Sequence, residues 1–599
     1  MQSITEGVSR VEGVLFGVGV GLFGVYLVAR AVHLPLIQDE ANCFWWYVRT
    51  GEFVPFLAHT DAANHFLNSF FGWAGNGIFG PEPWALRIGS LLAYLLYVVA
   101  LWSILCMLRN KLVRWCAFSA LIMCPFLHEY FALFRGYGLG MAFFVWALLH
   151  FIRCVQRRSA RDAIFFALGS VLAVYADLTL LPLCAMLAPV PLMLHMWGRA
   201  KGVMRQGTRA MVLALVVPLP AYWFAARFAL HLQEKGALYL GSGEGLIRVS
   251  VTGLCRALFQ PGWPFLPEII VATAIGILVT AAWMLGRDRE WRGPLMVLCA
   301  LLWTEVALRV ALNHLFGVNY PEDRAAFQLL VLFLLAVPFA VDALASVQRR
   351  WQWSALALLP IPLTTLANLN LEVAMNNLEQ GVPERFIKYA AAKQKALGRP
   401  LVVAGGGQLI TGWAFGLFAE GEMVNDMEME LFGQSAQDLR VVPYFLMDRP
   451  HRDYAIVDST KRQAMYLLER KTPLNLKMVL DSALADAIDP KDFHNFLELR
   501  GDRFKGVMLY VRVSGDLSVD TRSGQVMVIA DERDSERRIH WDETDLMHER
   551  AVWNGEAFDV MRRLPANPGA TERYCYLWNV TGAPMKATAL RLRVYVLDT

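Results

Sequence analysis

Charge of either sign is scarce in this chain. Only 18% of its 599 residues are charged and the formal net charge is +4, so it lacks the dense basic surface that holds nucleic acid. No disulfide framework is legible either: Cys106, Cys116, Cys124, Cys154, Cys184, Cys255 and Cys299 lie in or beside apolar runs, leaving only Cys43 and Cys575 in segments that read as exported. The first apolar run, 11–33, has no small-residue cleavage site, which excludes a removed signal peptide and makes it a retained membrane helix. Gly405-Gly406-Gly407 lacks the partners of a dinucleotide-binding glycine pattern. No internal repeat of interrupted helices stands out, which counts against a transporter built from two matching halves.

What the chain has in excess is apolar sequence. Hydrophobic residues make up 56% of it and the mean hydropathy is +0.38, beyond an ordinary soluble enzyme. The excess is uneven: up to Leu371 long apolar runs are broken only by short charged or Gly/Pro stretches, whereas from Met375 onward charges spread evenly and apolar runs shorten to strand length. Candidate spans near 11–33, 84–108, 112–128, 133–153, 163–178, 180–197, 210–227, 264–286, 294–316, 325–347 and 353–371 give about eleven helices. Cations gather at alternate junctions: Arg10; Arg109, Lys111 and Arg114; Arg157, Arg158 and Arg161; Arg199, Lys201, Arg205 and Arg209; Arg287, Arg289 and Arg292; Arg349 and Arg350. These junctions are expected in the cytoplasm. An odd number of crossings then puts the C-terminal part on the other face, in the periplasm or outside if this is a bacterial inner-membrane protein. The expected fold is a polytopic α-helical membrane domain over 1–375, a mixed α/β segment over 376–500 and a β-sandwich over 501–599.

Several polar residues sit where a bilayer must account for them. Asp39 and Glu40 follow the first apolar run directly, and ionisable groups at that depth are functional candidates, although acids also suit the first turn of a helix. The segment 34–83 also holds two aromatic-rich amphipathic stretches, Ala41 to Arg49 and Phe66 to Phe79, expected to lie along the membrane interface. Between them stand His59, Asp61, Asn64 and His65. Arg135 and Arg324 are placed at outer helix ends, where a guanidinium either grips phosphate oxygens or serves the fold: Arg135 by reaching to the interface, Arg324 by pairing with Glu322 or Asp323. Arg87 is open to both uses. Asp177, His128 and Glu129 fall at outer helix ends, and Glu305 and Arg309, one helical turn apart, read as an internal ion pair.

Four places resemble the GT-C glycosyltransferases, in particular the branch of protein mannosyltransferases and aminoarabinose transferases. They are Asp39-Glu40; Asn64-His65-Phe66-Leu67 with Phe70-Phe71-Gly72; Pro83-Trp84-Ala85-Leu86-Arg87-Ile88-Gly89-Ser90; and Arg135-Gly136-Tyr137. Where that family often has His-Pro-Pro-Leu, this chain has His65-Phe66-Leu67. The resemblance implies an inverting transfer of a sugar from a polyprenyl-phosphate donor to a lipid, polysaccharide or protein acceptor outside the cytoplasm. Asp39 is then the general base and Glu40 its neighbour that shapes the site or binds the acceptor, while His65, Arg87, Arg135, Tyr137 and Arg324 bind substrate. No cofactor is required. A divalent cation is nevertheless compatible with the resemblance, and His59, Asp61 and His65 are its candidate ligands, in a spacing that is no strong zinc signature.

In the C-terminal part, strands are expected at Pro400 to Ala404, Asp453 to Asp458, Asn475 to Leu480, Val507 to Val513, Gln525 to Ala530, Glu572 to Val580 and Ala589 to Leu597, with a helix near 408–419. The sandwich is similar to carbohydrate-binding modules, and Trp541, Trp553 and Trp578 are each either sugar-stacking or core residues. Two other classes stay open, a transporter or flippase and a non-catalytic scaffold for polysaccharide assembly.

Overall fold

A computed structural model describes residues 10–597 except 201–207, 239–240, 260–262, 430–435, 448–450, 463–464, 489–492, 502–504, 521–524, 535–536 and 549–555. Lys201, Arg205 and Trp553 lie outside the described residues. The chain divides into two units: the described residues of Met1–Val32, Phe53–Gly80 and Trp84–Leu371 form the first, and those of His33–Glu52, Pro81–Pro83 and Glu372–Thr599 form the second.

The first unit is helical. Among the described residues, eight helices are long and apolar enough to cross a bilayer: Arg10–His33, Ile88–Leu105, Gly136–Arg157, Leu178–Ala200, Thr208–Glu234, Leu266–Asp288, Pro294–Phe316 and Asp323–Val347. The three further expected spans are shorter, for local reasons. Pro125 has no N–H to continue the helix Lys111–Ile122 and opens a new one instead. Pro360 likewise separates the 3-10 turns Arg349–Leu358 from the helix Pro360–Ala367. Ala160–Ala176 has 17 residues, about 25 Å of helix against a hydrocarbon core of about 30 Å. The Arg10–His33 helix shows the solvent it is built for: Val11, Val14, Val18, Leu22 and Val25 all point outward, an apolar face suited to lipid rather than water. Its C-terminal end is tied down by Arg30, fully buried, which donates to the Asn370 carbonyl at 2.8 Å and pairs with Glu129. Asn110 and Ser159 start their helices by accepting from backbone N–H groups of the first turn.

The second unit has three sheets. A mixed one runs in the order Val403–Ala404, Leu439–Pro443, Met465–Arg470, Tyr454–Ser459, with only its first pair parallel. Two antiparallel sheets form a sandwich: Glu556–Leu564, Leu509–Val519, Met585–Leu597, Leu476–Ala483 in one, and Arg537–Asp545, Val526–Asp534, Glu572–Asn579, Phe493–Arg500 in the other. Sandwich strands therefore begin at Leu476, so the stretch 476–500 supplies strands to it. Alternation sets the core: Leu509, Val511 and Val513 of one sheet face Val528, Ala530, Cys575 and Leu577 of the other.

One expected interface stretch has a different home. Gln38–Cys43 is helical and Phe44–Val48 winds into a π-turn, and within the second unit Phe44 meets Phe415 edge-on at 4.8 Å while Trp45 Nε1 donates to the Thr411 carbonyl at 3.1 Å. The apolar face of Ala41 to Arg49 is thus covered by the helix Ile410–Glu420 and not by lipid. All nine cysteines are free thiols.

Candidate active site

The Arg-Gly-Tyr sequence works through its glycine. Arg135 is the N-cap of the helix Gly136–Arg157, and that helix approaches the corner at Ala176 so closely that a Cβ on Gly136 would stand 2.1 Å from the Ala176 carbonyl oxygen and 2.5 Å from His65 Cβ. A Cβ on Gly140 would lie 2.7 Å from that of Asp177. Two glycines on one helix face therefore admit His65 on one side and Asp177 on the other.

His65 caps the helix Phe66–Phe79 and is buried. Its Nδ1 lies 3.0 Å from the Ala176 carbonyl; since that oxygen only accepts, Nδ1 carries the proton and a neutral ring keeps its lone pair on Nε2. The Tyr137 ring stands edge-on to the imidazole, with centroids 4.7 Å apart. Over the same tyrosine lie two guanidinium carbons, that of Arg135 at 5.7 Å and that of Arg324 at 5.8 Å from the ring centroid. Each contact with the ring is worth about 0.5–1 kcal/mol, and the guanidinium fork has the shape to take phosphate oxygens.

Tyr137 and His65 also line a cavity of about 310 Å³. Phe66, Tyr175, Phe224 and Phe228 wall its apolar part, and Asn64, Asp177, Thr179 and Arg309 supply polar groups. Arg309 is already engaged, donating from Nε to Glu305 at 2.7 Å and from Nη2 to the Thr179 carbonyl at 2.7 Å, so the expected Glu305–Arg309 pair is present. Asp177 is different. It is 1% exposed; Oδ1 accepts from the Thr179 N–H at 3.0 Å and hydroxyl at 2.8 Å, while Oδ2 meets no hydrogen-bond donor among the described residues.

The sequence-derived candidates separate accordingly. His65, Arg135, Tyr137 and Arg324 come together. Arg87 does not join them through the contact it is seen to make: fully buried, it donates from Nη1 to the Ala31 carbonyl at 3.0 Å and so fastens the end of the first helix. His59, Asp61 and His65 form no metal-binding group, for among the described residues no three His, Cys, Asp or Glu side chains are gathered for one. His59 is exposed, Asp61 Oδ1 accepts from the Ala63 N–H at 2.6 Å, and His65 turns to Ala176. His128 bonds the Cys124 carbonyl and Glu129 pairs with Arg30. Asp39 and Glu40 belong to the second unit. Glu40 is buried and accepts the Ile37 N–H at 3.1 Å, closing the first turn of its helix, and Asp39 beside it is half-buried. Asp177 was visible in the sequence as an acid at an outer helix end that could line a cavity, but the walls of that cavity were not, because they come from distant helices.

The second unit carries another arrangement. On the sheet face opposite the core, Phe493, Tyr576, Trp578 and Trp541 form one ring cluster: Phe493 lies 5.2 Å from Tyr576 and 6.0 Å from Trp578, and Trp541 lies 6.1 Å from Trp578. Phe493 is 56% exposed, and Trp541 and Trp578 are half-buried. Arg538 covers Trp541 at 3.9 Å and Trp541 Nε1 donates to Glu543 at 2.7 Å. The two described tryptophans are thus face residues, not core residues.

No family model and no curated protein sequence matches the chain. Among solved structures, the chain is similar to the arabinosyltransferase EmbB from Mycobacterium smegmatis, with 11% identity over 99% of this chain and a TM-score of 0.37, and it spans 64% of that protein's length. It is also similar to ArnT from Cupriavidus metallidurans, at 14% identity over 77% of this chain and 98% of that one, with TM-scores of 0.36 for the form bound to undecaprenyl phosphate and 0.33 for the apo form. Likeness at this depth carries no activity across, so what the chain does is argued from its own residues.

Proposed function

We propose that the chain is an integral-membrane glycosyltransferase that moves a sugar from a polyprenyl-phosphate carrier to an acceptor outside the cytoplasm. The observation that carries this reading is that Arg135 and Arg324 each lie over the ring of Tyr137, which with His65 lines a cavity in a membrane-type helical unit. Two guanidiniums suit the phosphate of a lipid-linked sugar: charge on the leaving group grows as the glycosidic bond breaks, and preorganised donors then bind the transition state better than the ground state. The acceptor hydroxyl oxygen bonds to the anomeric carbon from the face opposite the phosphate while its proton passes to a carboxylate. The C–O bond to phosphate breaks with its electron pair on polyprenyl phosphate, and the anomeric configuration inverts.

Asp39 is the carboxylate assigned to that proton, a role worth about 10²–10⁴-fold in rate. Glu40, closed on the Ile37 N–H, shapes the turn that carries it. His65 and Tyr137 hold the sugar side of the donor. The aromatic cluster of the sandwich favours a polysaccharide acceptor, since clustered rings bordered by a carboxylate and a guanidinium match the apolar faces and hydroxyl edges of sugars.

The test is transfer of radiolabelled sugar from a panel of undecaprenyl-phosphate donors in proteoliposomes. Arg135→Ala, Arg324→Ala and Asp39→Asn are each expected to lower turnover by about 10²-fold or more. Full activity in Arg135→Ala and Arg324→Ala would remove the phosphate role, and full activity in Asp39→Asn would remove the base. A wild type that transfers from no donor in the panel would favour the scaffold or the transporter instead.

A further inference from the structure

Asp177 is a buried acid beside the cavity with no part in the transfer step. Asp177 faces the cavity with Oδ1 committed to the first turn of the next helix and Oδ2 without a donor. Leaving a buried carboxylate oxygen unsatisfied is costly, and such groups are retained where a ligand completes them. Among the described residues Asp177 makes no ion pair: Arg309 turns Nε to Glu305 and Nη2 to the Thr179 carbonyl, and the pairs of the unit leave Asp177 out. The walls around it are chiefly apolar, with Phe66, Tyr175, Phe224 and Phe228 among them.

Resting on the glycosyltransferase reading, we infer that Asp177 selects the donor sugar, its Oδ2 accepting a hydrogen bond from one ring hydroxyl of a monosaccharide held in the cavity. Three observations point to the donor sugar and not the acceptor. Tyr137 lines the cavity and also lies under the two guanidiniums, and the donor sugar is the group bonded directly to phosphate. The volume, about 310 Å³, sits at the small end of ligand pockets, which run from about 300 to 1,000 Å³, so it suits one ring and not a polymer. The walls Phe66, Tyr175, Phe224 and Phe228 offer the ring faces on which a sugar's C–H side rests.

Asparagine at this position makes a sharp test. The Thr179 N–H requires an acceptor, so Asp177→Asn keeps its carbonyl on Thr179 and turns an NH₂ donor toward the cavity in place of Oδ2. Capping survives and the polarity of the recognising atom inverts. The measurement is kcat/KM in proteoliposomes with undecaprenyl phosphate carrying glucose, mannose, galactose or arabinose, followed by each monodeoxy form of the best donor. In the wild type, one deoxygenation is expected to cost about 10- to 100-fold. Asp177→Asn should lose a similar factor on the fully hydroxylated sugar and nothing further on that one deoxy form. Binding of undecaprenyl phosphate without sugar should stay within about twofold of wild type, since its phosphate contacts are intact.

Ala229→Leu fills the cavity from the helix Leu219–Glu234 and serves should the asparagine variant misfold; it should weaken sugar-bearing donors but not bare undecaprenyl phosphate. The inference is overturned if wild type and Asp177→Asn respond alike to every deoxy donor, or if both variants weaken bare carrier and donor equally, as a purely structural acid would. A wild type that transfers the sugars and shows such parallel responses removes the role of Asp177 alone. A wild type without transfer overturns both readings.

Discussion

The two units bury acids to different ends. In the second unit each of several deep carboxylates closes on a cation: Glu428 on Arg563 at 3.0 Å, Asp542 on Arg562 at 3.0 Å, Asp438 on Arg399 at 2.7 Å and Asp426 on His548 at 3.1 Å. Two of these pairs, Glu428–Arg563 and Asp426–His548, cross between pieces of fold. Arg563 and His548 come from the sandwich, whereas Asp426 and Glu428 lie between the first two strands of the mixed sheet, and Arg562 also donates to the Asn425 side chain at 3.0 Å. The first unit has pairs of this kind in Glu305–Arg309 and Arg30–Glu129, but Asp177 stands apart from them beside a cavity. A closed pair braces a fold; a carboxylate with an oxygen to spare keeps its place for something that arrives.

Breaking a closed pair should produce the largest effect. Glu428→Ala strands the buried Arg563 guanidinium and is expected to cost about 3–5 kcal/mol, while Glu428→Met with Arg563→Met, which removes both charges, should recover much of that. Thermal unfolding of the detergent-solubilised protein, followed by tryptophan fluorescence, measures both; equal loss in single and double variants would show that volume and not charge holds the region. The exposed ring cluster comes next. Trp541→Ala and Trp578→Ala should each weaken retention of the protein on immobilised polysaccharide by about 1 kcal/mol, near fivefold, with melting unchanged within error. A fall in melting temperature without loss of retention would return the two rings to a structural role.

The smallest expected effect is on pH dependence. Burial disfavours the charged His548 imidazole, but Asp426 and Asp545 beside it outweigh that and raise its pKa above the ordinary value. A raised imidazole contributes stability in full below about pH 6.5 and loses it as pH rises through the folded-state value. Burial pushes the Asp545 and Glu428 carboxyls up as well, which acts in the same direction over a window starting near about pH 4. The second unit should therefore melt at a higher temperature at pH 6 than at pH 8, and His548→Gln should flatten the upper part of that slope. A melting temperature that rises from pH 6 to pH 8 would contradict the assignment.

What could be read in advance follows the reach of each signal. Membrane helices declare themselves by composition, and Phe66–Phe79 was legible end to end because its apolar periodicity is local. Strands with clean alternation, such as Glu572–Asn579, were legible too. Arg537–Asp545 was not, since it buries Asp542 and Thr544 where a pattern reader looks for apolar residues, and Asp542 is tolerated only because Arg562 meets it. Phe493–Arg500 was hidden by a bulge in its pairing with Glu572–Asn579, which shifts the alternation midway. In the candidate site, the residues carried by the Arg-Gly-Tyr sequence and its neighbours were within reach, whereas the cavity beside Asp177 depends on Phe224 and Phe228, far along the chain. The segment 33–52 groups with residues beyond 372, and no window of sequence contains that pairing.

The close approach at Gly136 and Gly140 has an evolutionary corollary. One side of the cavity is set by main chain, and no point substitution there can be absorbed by a change of rotamer. Another part of the lining, on Leu219–Glu234, presents Ala225, Ala229, Leu232 and Gln233, small or flexible positions that can drift one at a time. Divergence in the preferred sugar among related chains should accumulate on that helix, while the glycine face stays as it is.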